Sequence, residues 1–264
     1  MKTVLKNNKA VRRRTTSRSY LSGKATVPGE LLAWDTDFFG FRIGRARDNR
    51  LTAKSAATLL DWAETCELRC LYLSADPACP VTLNTAHSFG FKFVDFRLDL
   101  DISLNHIHPL QKPRAFRSVS SADIPSLTYI ARQAHTDSRF FKDVGFSRKR
   151  AGDLYAEWIR RDFRENHIFT IATPDDANEP TNYITCQLGT TSRTGRIGLL
   201  AVSEHVQGRG IGRMLLKGAL SWFCSRGCQN VRVATQGSNL AAQRLYQSGG
   251  FILAEAFTTY HHWF

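Results

Sequence analysis

Apolar residues recur along this chain in two rhythms, and the changes of rhythm mark its elements. From Val94 to Ile102 the alternation is strict, with Val94, Phe96, Leu98, Leu100 and Ile102 on one side and Asp95, Arg97, Asp99 and Asp101 on the other. That is the period of a half-buried strand with a wet face. Between Thr52 and Cys66, the residues Ala56, Leu59, Leu60 and Ala63 recur at helical spacing and predict an amphipathic helix. Ile43 to Ala46 and Leu71 to Leu73 read as short strands, a short helix precedes Gly90-Phe91, and the aromatic run Leu31 to Phe41 holds a glycine turn at Gly40. The segment Leu104 to Pro113 reads as a connection, in which His106 and His108 are solvated polar residues rather than metal ligands.

The pattern then restarts. Phe116 to Val119 predicts a strand, Asp123 to about Ala134 a helix, and Arg148 to Arg164 a second helix with Leu154, Trp158 and Ile159 on its apolar face. Strands follow at His167–Ala172 and Thr181–Leu188, joined by a polar turn from Pro174 to Pro180. The run Ile197 to Val202 is almost wholly apolar, as an interior strand is. A helix from about Gly208 to Arg226, a strand Val231–Ala234, a helix Ser238–Ser248 and strands Phe251–Phe257 and Thr259–Phe264 complete the chain. No clear long repeat is visible, although Gly90-Phe91 echoes Gly250-Phe251.

Composition adds bounds. The 264 residues are 42 % hydrophobic and 22 % charged, ordinary globular usage, and no apolar run approaches the ~20 residues that span a bilayer. The net charge of +13 is uneven: eight of those charges fall in residues 1–24, which hold no acid. Residues 1–29 are therefore expected to be a disordered basic tail, with a transit peptide or a nucleic-acid arm as lesser readings. Nucleic acid and membrane are not expected as partners, and homodimerisation is left open. Cys66 and Cys70, like Cys224 and Cys228, are four apart near helix ends without the CxxC or His cluster of a zinc site. No metal is expected, and free thiols imply a reducing, cytoplasmic setting.

Two segments carry chemistry. Gln207-Gly208-Arg209-Gly210-Ile211-Gly212 lies between a buried strand and an amphipathic helix. Its glycines let the main chain approach a ligand, the first helical turn leaves N–H groups unpaired, and Arg209 and Arg213 add charge one turn apart, so a pyrophosphate fits there. The motif comes too late, and without the acid or lysine, for a dinucleotide fold or a Walker loop. In the second segment, Asn239 and Tyr246 are seven apart on one helix face, ahead of Gly249-Gly250-Phe251. They read either as a cap and a core tyrosine, or as a polar contact and a phenol of pKa near 10 suited to protonating a departing thiolate.

Together, in this order, the two segments over residues 114–264 resemble the GNAT superfamily of N-acetyltransferases. The strings Arg196 to Ala201 and Val231 to Gln236, the stretch Ser138-Arg139-Phe140 and the start Trp34, Phe38-Phe39-Gly40 resemble, within that superfamily, enzymes that acetylate amino sugars carried on dTDP. Leu245 departs from that pattern, which has a basic residue before the tyrosine. The resemblance implies an α/β (α+β) fold with a mixed, mainly antiparallel sheet flanked by helices, and a smaller N-terminal α/β unit over residues 30–104. It implies acetyl-CoA as cosubstrate, gripped by Gln207 to Gly212 with Arg213, paired with the main chain of Val202 and touched by Asn239. The N–H of Leu200 polarises the acetyl carbonyl, Tyr246 is the general acid, and Arg139 and Phe140 meet a nucleotide-sugar amine. No general base is assigned, and Glu204 reads as a solvated loop acid. The rival functions are acetylation of a protein N-terminus or small amine, and a non-catalytic acyl-CoA-binding regulator.

Overall fold

The computed structural model describes residues 27–105, 116–171, 179–189 and 193–264. The basic leader before residue 27, the His106 and His108 connection and most of the turn from Pro174 lie outside them. Ten strands among the described residues form one sheet: β1 (Gly29–Leu31), β2 (Ile43–Ala46), β3 (Cys70–Ala75), β4 (Lys92–Ser103), β5 (Phe116–Ser118), β6 (Ile168–Ile171), β7 (Asn182–Leu188), β8 (Thr194–Val202), β9 (Asn230–Gln236) and β10 (Ile252–Trp263). Their spatial order is β1-β2-β3-β10-β4-β9-β8-β7-β6-β5. Only β2 with β3 and β8 with β9 run parallel, so the sheet is mixed and mainly antiparallel, as expected.

Helices cover both faces. They are α1 (Ala33–Phe39), α2 (Ala53–Thr65), α3 (Pro80–Ser88), α4 (Ile124–Ala134), α5 (Arg139–Lys142), α6 (Arg148–Arg164), α7 (Ile211–Ser225) and α8 (Leu240–Ser248). Strand alternation sorts the core into two sides. Leu71 and Leu73 pack with α2 and α3, and Val231 and Val233 with α7, whereas Tyr72, Tyr183 and Ala201 pack with α4, α5 and α6. The strongly amphipathic α6 has the bounds its periodicity predicts. None of the described helices is long and apolar enough to cross a membrane.

Three expectations need correction, and the aromatic run, whose glycine turn at Gly40 is present, gains an element of its own. The helix expected from about Gly208 begins at Ile211, because Gly208 and Gly210 hold left-handed φ values of 78° and 77° that a helix cannot contain. The aromatic run near Trp34 is itself a helix, α1, closed by Gly40 at φ 79°. The two C-terminal strands are one, because Thr258 is paired on both sides, to Ala75 of β3 and Phe96 of β4. The wet face of β4 is covered: Asp95 is 6 % and Asp99 4 % exposed, while Phe96, expected inside, is 46 % exposed. Lys142 of α5 lies on Asp95, and Arg97 pairs with Asp99.

The faint echo at Gly90 and Gly250 is the end of a long repeat. The helices Pro80–Ser88 and Leu240–Ser248 are both nine residues, the strands Lys92–Ser103 and Ile252–Trp263 both twelve, and each second copy starts 160 positions after the first. Gly90 and Gly250 are both left-handed. The copies exchange their last strands. β4 pairs with β9 of the second copy, from Arg97↔Gln236 to Ser103↔Asn230, and β10 pairs with β3 of the first, from Thr258↔Ala75 to Trp263↔Cys70. Those two registers are the same once the offset of 160 is applied.

The exchange predicts that the C-terminal half does not fold alone. Cut off from residues 1–113, β10 loses both neighbours and the α7 side of the core loses Leu100 and Ile102. Residues 114–264 expressed alone should be insoluble or lack dispersed amide resonances, and co-expression with residues 27–113 should restore them. A folded, soluble 114–264 fragment would contradict the exchange.

Candidate active site

The site starts with a parting of strands. The β8–β9 ladder runs only from Thr194↔Asn230 to Ile197↔Val233, after which β8 continues to Val202 paired with β7 alone. A bulge in the β7–β8 ladder, between the Ile184 and Cys186 pairs, sets the orientation that follows. There the Leu199 N–H donates to the Thr185 side chain at 2.8 Å, and a Cβ on Gly198 would lie 2.6 Å from that same oxygen. Glycine is what lets the two strands approach.

Beyond the bulge, the main-chain directions follow from register. The Ser203 N–H donates to the Thr181 carbonyl at 2.7 Å, and antiparallel partners alternate between bonded and non-bonded pairs. Ala201 therefore bonds its partner Tyr183, while the N–H and C=O of Leu200 and Val202 point away from β7 into the gap. Both residues are half-buried, unlike an interior strand with a neighbour on each side. The Val202 carbonyl accepts a bond of 2.9 Å from Gln207 Nε2, which fixes the start of the loop and leaves the Val202 N–H in the gap.

The loop ends in an anion cradle. Gly208 and Gly210 are left-handed and exposed, and a Cβ at either would meet nothing within 4 Å, so glycine serves the backbone turn here. Gly210 is the N-cap of α7 and no side chain caps it; the first helical bond runs from Met214 N to the Gly210 carbonyl. The N–H groups of Ile211, Gly212 and Arg213 are thus left for a ligand, at the positive end of a fifteen-residue helix. Arg209, which bonds the His205 carbonyl, and Arg213 are exposed at the rim. These donors fit a pyrophosphate, and so fit coenzyme A. Glu204 is exposed on the preceding 3-10 turn, as expected of a solvated acid.

The other wall is α8. Asn239 is its N-cap, and its Oδ1 accepts from the Ala242 N–H at 3.0 Å, so the capping role is real and only the amide nitrogen is left for a ligand. Tyr246 is 5 % exposed, packs on Phe251 with ring centroids 5.7 Å apart, and its hydroxyl bonds no described residue. Burial pushes its phenol above the ordinary value, so the oxygen keeps its proton near neutral pH. On the α4 side, a cavity of about 1380 Å³ opens between Tyr129, Gln133 and Thr136 and the stretch Val202 to Gln207. Beside it His135, kept neutral because burial lowers its pKa to about 4, bonds the Tyr183 hydroxyl at 2.8 Å.

Sequence reasoning missed the fastening of α5. Asp143 accepts from His261 Nδ1 at 2.5 Å, from Trp263 Nε1 at 2.9 Å and from the Gly145 N–H at 2.8 Å. Burial works against that carboxyl, but these bonds hold it below its usual range, and burial brings His261 to about 4, so the imidazole is the neutral donor. Only β10 could have shown this, since its partners lie some 120 residues away in sequence. The fastened helix holds Arg139 half-buried over the Tyr72 ring, 4.2 Å from its centroid, and the Asp35 carboxylate, though not in a contact ion pair with it, lies close enough for the two charges to attract. Phe140 corrects its assignment as a substrate contact. It is 3 % exposed inside a ring cluster with Phe39, Phe146 and Trp158, and is core.

Comparison with known proteins shows the family. Residues 131–251 match the family model described as Acetyltransferase (GNAT) family. The chain is 30 % identical, over 88 % of its length and 96 % of the other, to the dTDP-fucosamine acetyltransferase of Escherichia coli O6:H1. This chain belongs to the GNAT acetyltransferase family. The acetyltransferase is also 28 % identical to the spore coat polysaccharide biosynthesis protein SpsD of Bacillus subtilis, over 53 % of this chain and 48 % of that one. In fold it resembles a GCN5-related N-acetyltransferase from Sphaerobacter thermophilus, with a TM-score of 0.63 at 13 % identity, covering 89 % of this chain and 76 % of the other.

Proposed function

We propose that this acetyltransferase moves the acetyl group of acetyl-CoA to the amino group of a nucleotide-linked amino sugar, of the kind dTDP-fucosamine represents. The observation that carries the sugar-nucleotide reading is Arg139. Its guanidinium rests on the Tyr72 ring, where strands of the first half meet a helix of the second; no described carboxylate forms a contact ion pair with it, and Asp35 attracts it only at longer range. An arginine prepared in that way suits a phosphate, whose oxygens it meets in a bidentate fork. The likeness to the Escherichia coli enzyme extends through the N-terminal half, and a polysaccharide biosynthesis protein is among the relatives.

In this reading the pyrophosphate of coenzyme A sits on the N–H groups at the start of α7, with Gln207, Gly208, Arg209, Gly210, Ile211, Gly212 and Arg213 around it. The pantetheine arm lies in the gap along Val202 and reaches the amide nitrogen of Asn239. The acetyl carbonyl meets the Leu200 N–H, which stabilises the oxyanion formed when the amine nitrogen attacks the carbonyl carbon. As the C–S bond breaks, Tyr246 gives its proton to the sulfur. A free amine on a sugar ring attacks once it is unprotonated, and the proton it sheds leaves through water.

Tyr246→Phe should lower turnover ~10²–10⁴-fold, the usual cost of removing a general acid, and leave the acetyl-CoA dissociation constant unchanged. Its melting temperature should scarcely move, because the hydroxyl has no protein partner to lose. A turnover within tenfold of wild type, measured where chemistry limits the rate, removes Tyr246 from that role. Arg139→Ala should raise the Michaelis constant for dTDP-fucosamine about 10- to 100-fold and spare that for acetyl-CoA. Equal effects on both substrates, or none, would end the nucleotide-sugar reading of this arginine.

A further inference from the structure

Asp95 stands on β4 at one of two matched irregularities in the β4–β10 ladder, where pairing shifts between Thr259 and Tyr260; the other shift lies between Leu253 and Glu255. Bulges of this kind re-aim the neighbouring side chain. Glu255 is the equivalent of Asp95 in the second copy, 160 positions on, and its side chain is 51 % exposed and paired with Arg232. That of Asp95 is 8 % exposed. The difference is α5, which lays Lys142 over one copy and has no counterpart over the other among the described residues.

The two hydrogen bonds to Asp95 end on the same oxygen. Lys142 Nζ donates to Oδ1 at 2.8 Å and the Phe96 N–H donates to Oδ1 at 2.9 Å, and no described residue bonds Oδ2. Lys142 Nζ also donates to the Ser238 hydroxyl at 2.7 Å. Ser238 directly precedes Asn239, the cap of the helix that carries Tyr246. A buried carboxylate with one unbonded oxygen therefore lies a single lysine away from the start of α8. Burial lifts the carboxyl above its ordinary range against the pull of Lys142, and Asp137, in the turn between α4 and α5, adds to the rise. The group already resting on this carboxylate is a primary ammonium.

We propose that Asp95 receives the amino group of the acceptor: the acceptor nitrogen donates a hydrogen bond to Oδ2, and the carboxylate holds it more strongly when it arrives as an ammonium than it would hold a neutral hydroxyl. Lys142 is the resident cation that neutralises Asp95 until the acceptor arrives, and it competes with a cationic acceptor for the same oxygens. The proposal rests on acetyl transfer taking place at the start of α8, and it holds for any primary-amine acceptor.

The test follows coenzyme A release with dTDP-fucosamine and, separately, with spermidine as acceptor. Asp95→Asn should raise the acceptor Michaelis constant about 10- to 100-fold, the cost of a charge-assisted hydrogen bond, while calorimetry shows acetyl-CoA binding unchanged. Lys142→Met should move the constant the opposite way, because it removes the competitor. Packing alone predicts the same sign for both variants. An Asp95→Asn constant within twofold of wild type, or a Lys142→Met constant that rises with it, overturns the proposal. Wild-type transfer to spermidine alone would sink the nucleotide-sugar reading and leave Asp95 tested on spermidine. As a check free of turnover, methylammonium chloride should shift the Asp95 carboxyl carbon resonance at concentrations that leave that of Glu255 in place, and the absence of that shift overturns the proposal as well.

Discussion

Between Ile197 and Val202, β8 keeps its bonds to β7 and loses β9, and everything chemical about this molecule is arranged around that loss. A main-chain N–H or C=O left without a partner in a buried place costs roughly 1–3 kcal/mol, so a strand does not shed a neighbour without some compensation. Here the bulge at Thr185 and the close approach at Gly198 fix which groups face the gap, and Gln207 satisfies one of them, the Val202 carbonyl. The rest face a ligand, or the water that precedes it. The same parting sends the chain from Val202 through a 3-10 turn and two left-handed glycines into α7, whose first N–H groups stand open. The free N–H groups of the gap and the open first turn of α7 are consequences of one strand leaving another.

What keeps the strands apart is the sheet on either side. β9 cannot swing back toward β8 without leaving β4, to which it is bonded along seven pairs, and β4 belongs to the first half of the chain. The exchange of last strands thus makes the N-terminal copy a brace for the catalytic one. That copy lacks the residues proposed for the chemistry: Ala86 stands where the second copy has Tyr246, Cys79 where it has Asn239, and the loop before α2 holds none of the glycines of Gln207 to Gly212. Its other contribution is a pair of buried side chains against which a helix of the second half packs. Tyr72 and Asp95 come from it, and α5, fastened by Asp143 to His261 and Trp263, brings Arg139 and Lys142 onto them.

Much of this was legible in the residues. Arg148 to Arg164 is read to the residue because its apolar face is long and periodic, and the glycine loop ahead of α7 and the helix that carries Tyr246 are legible because both are set by local order in the chain. Features set by distant partners were not. α5 is four residues long and has no period to detect; it exists because Phe140 fills a ring cluster and Asp143 meets a histidine 118 positions away. Strict alternation in β4 describes a strand with one wet side, but a helix from elsewhere covers that side, so Asp95 is buried and Phe96 is not. The repeat escaped because the two copies share geometry at a fixed offset while most of their side chains have diverged, leaving Gly90 and Gly250 to show it.

The parting of β8 from β9 is tested most directly by amide hydrogen exchange along β8, residue by residue, with and without saturating acetyl-CoA. In the free protein the N–H groups of Leu200 and Val202 should exchange readily, since they face the gap, and that of Ala201 slowly, since it is bonded to Tyr183. Acetyl-CoA should slow Leu200 and Val202 by about tenfold or more and leave Ala201 as it was. Saturating acetyl-CoA that binds and yet leaves Leu200 and Val202 exchanging as before would contradict a thioester held in the gap.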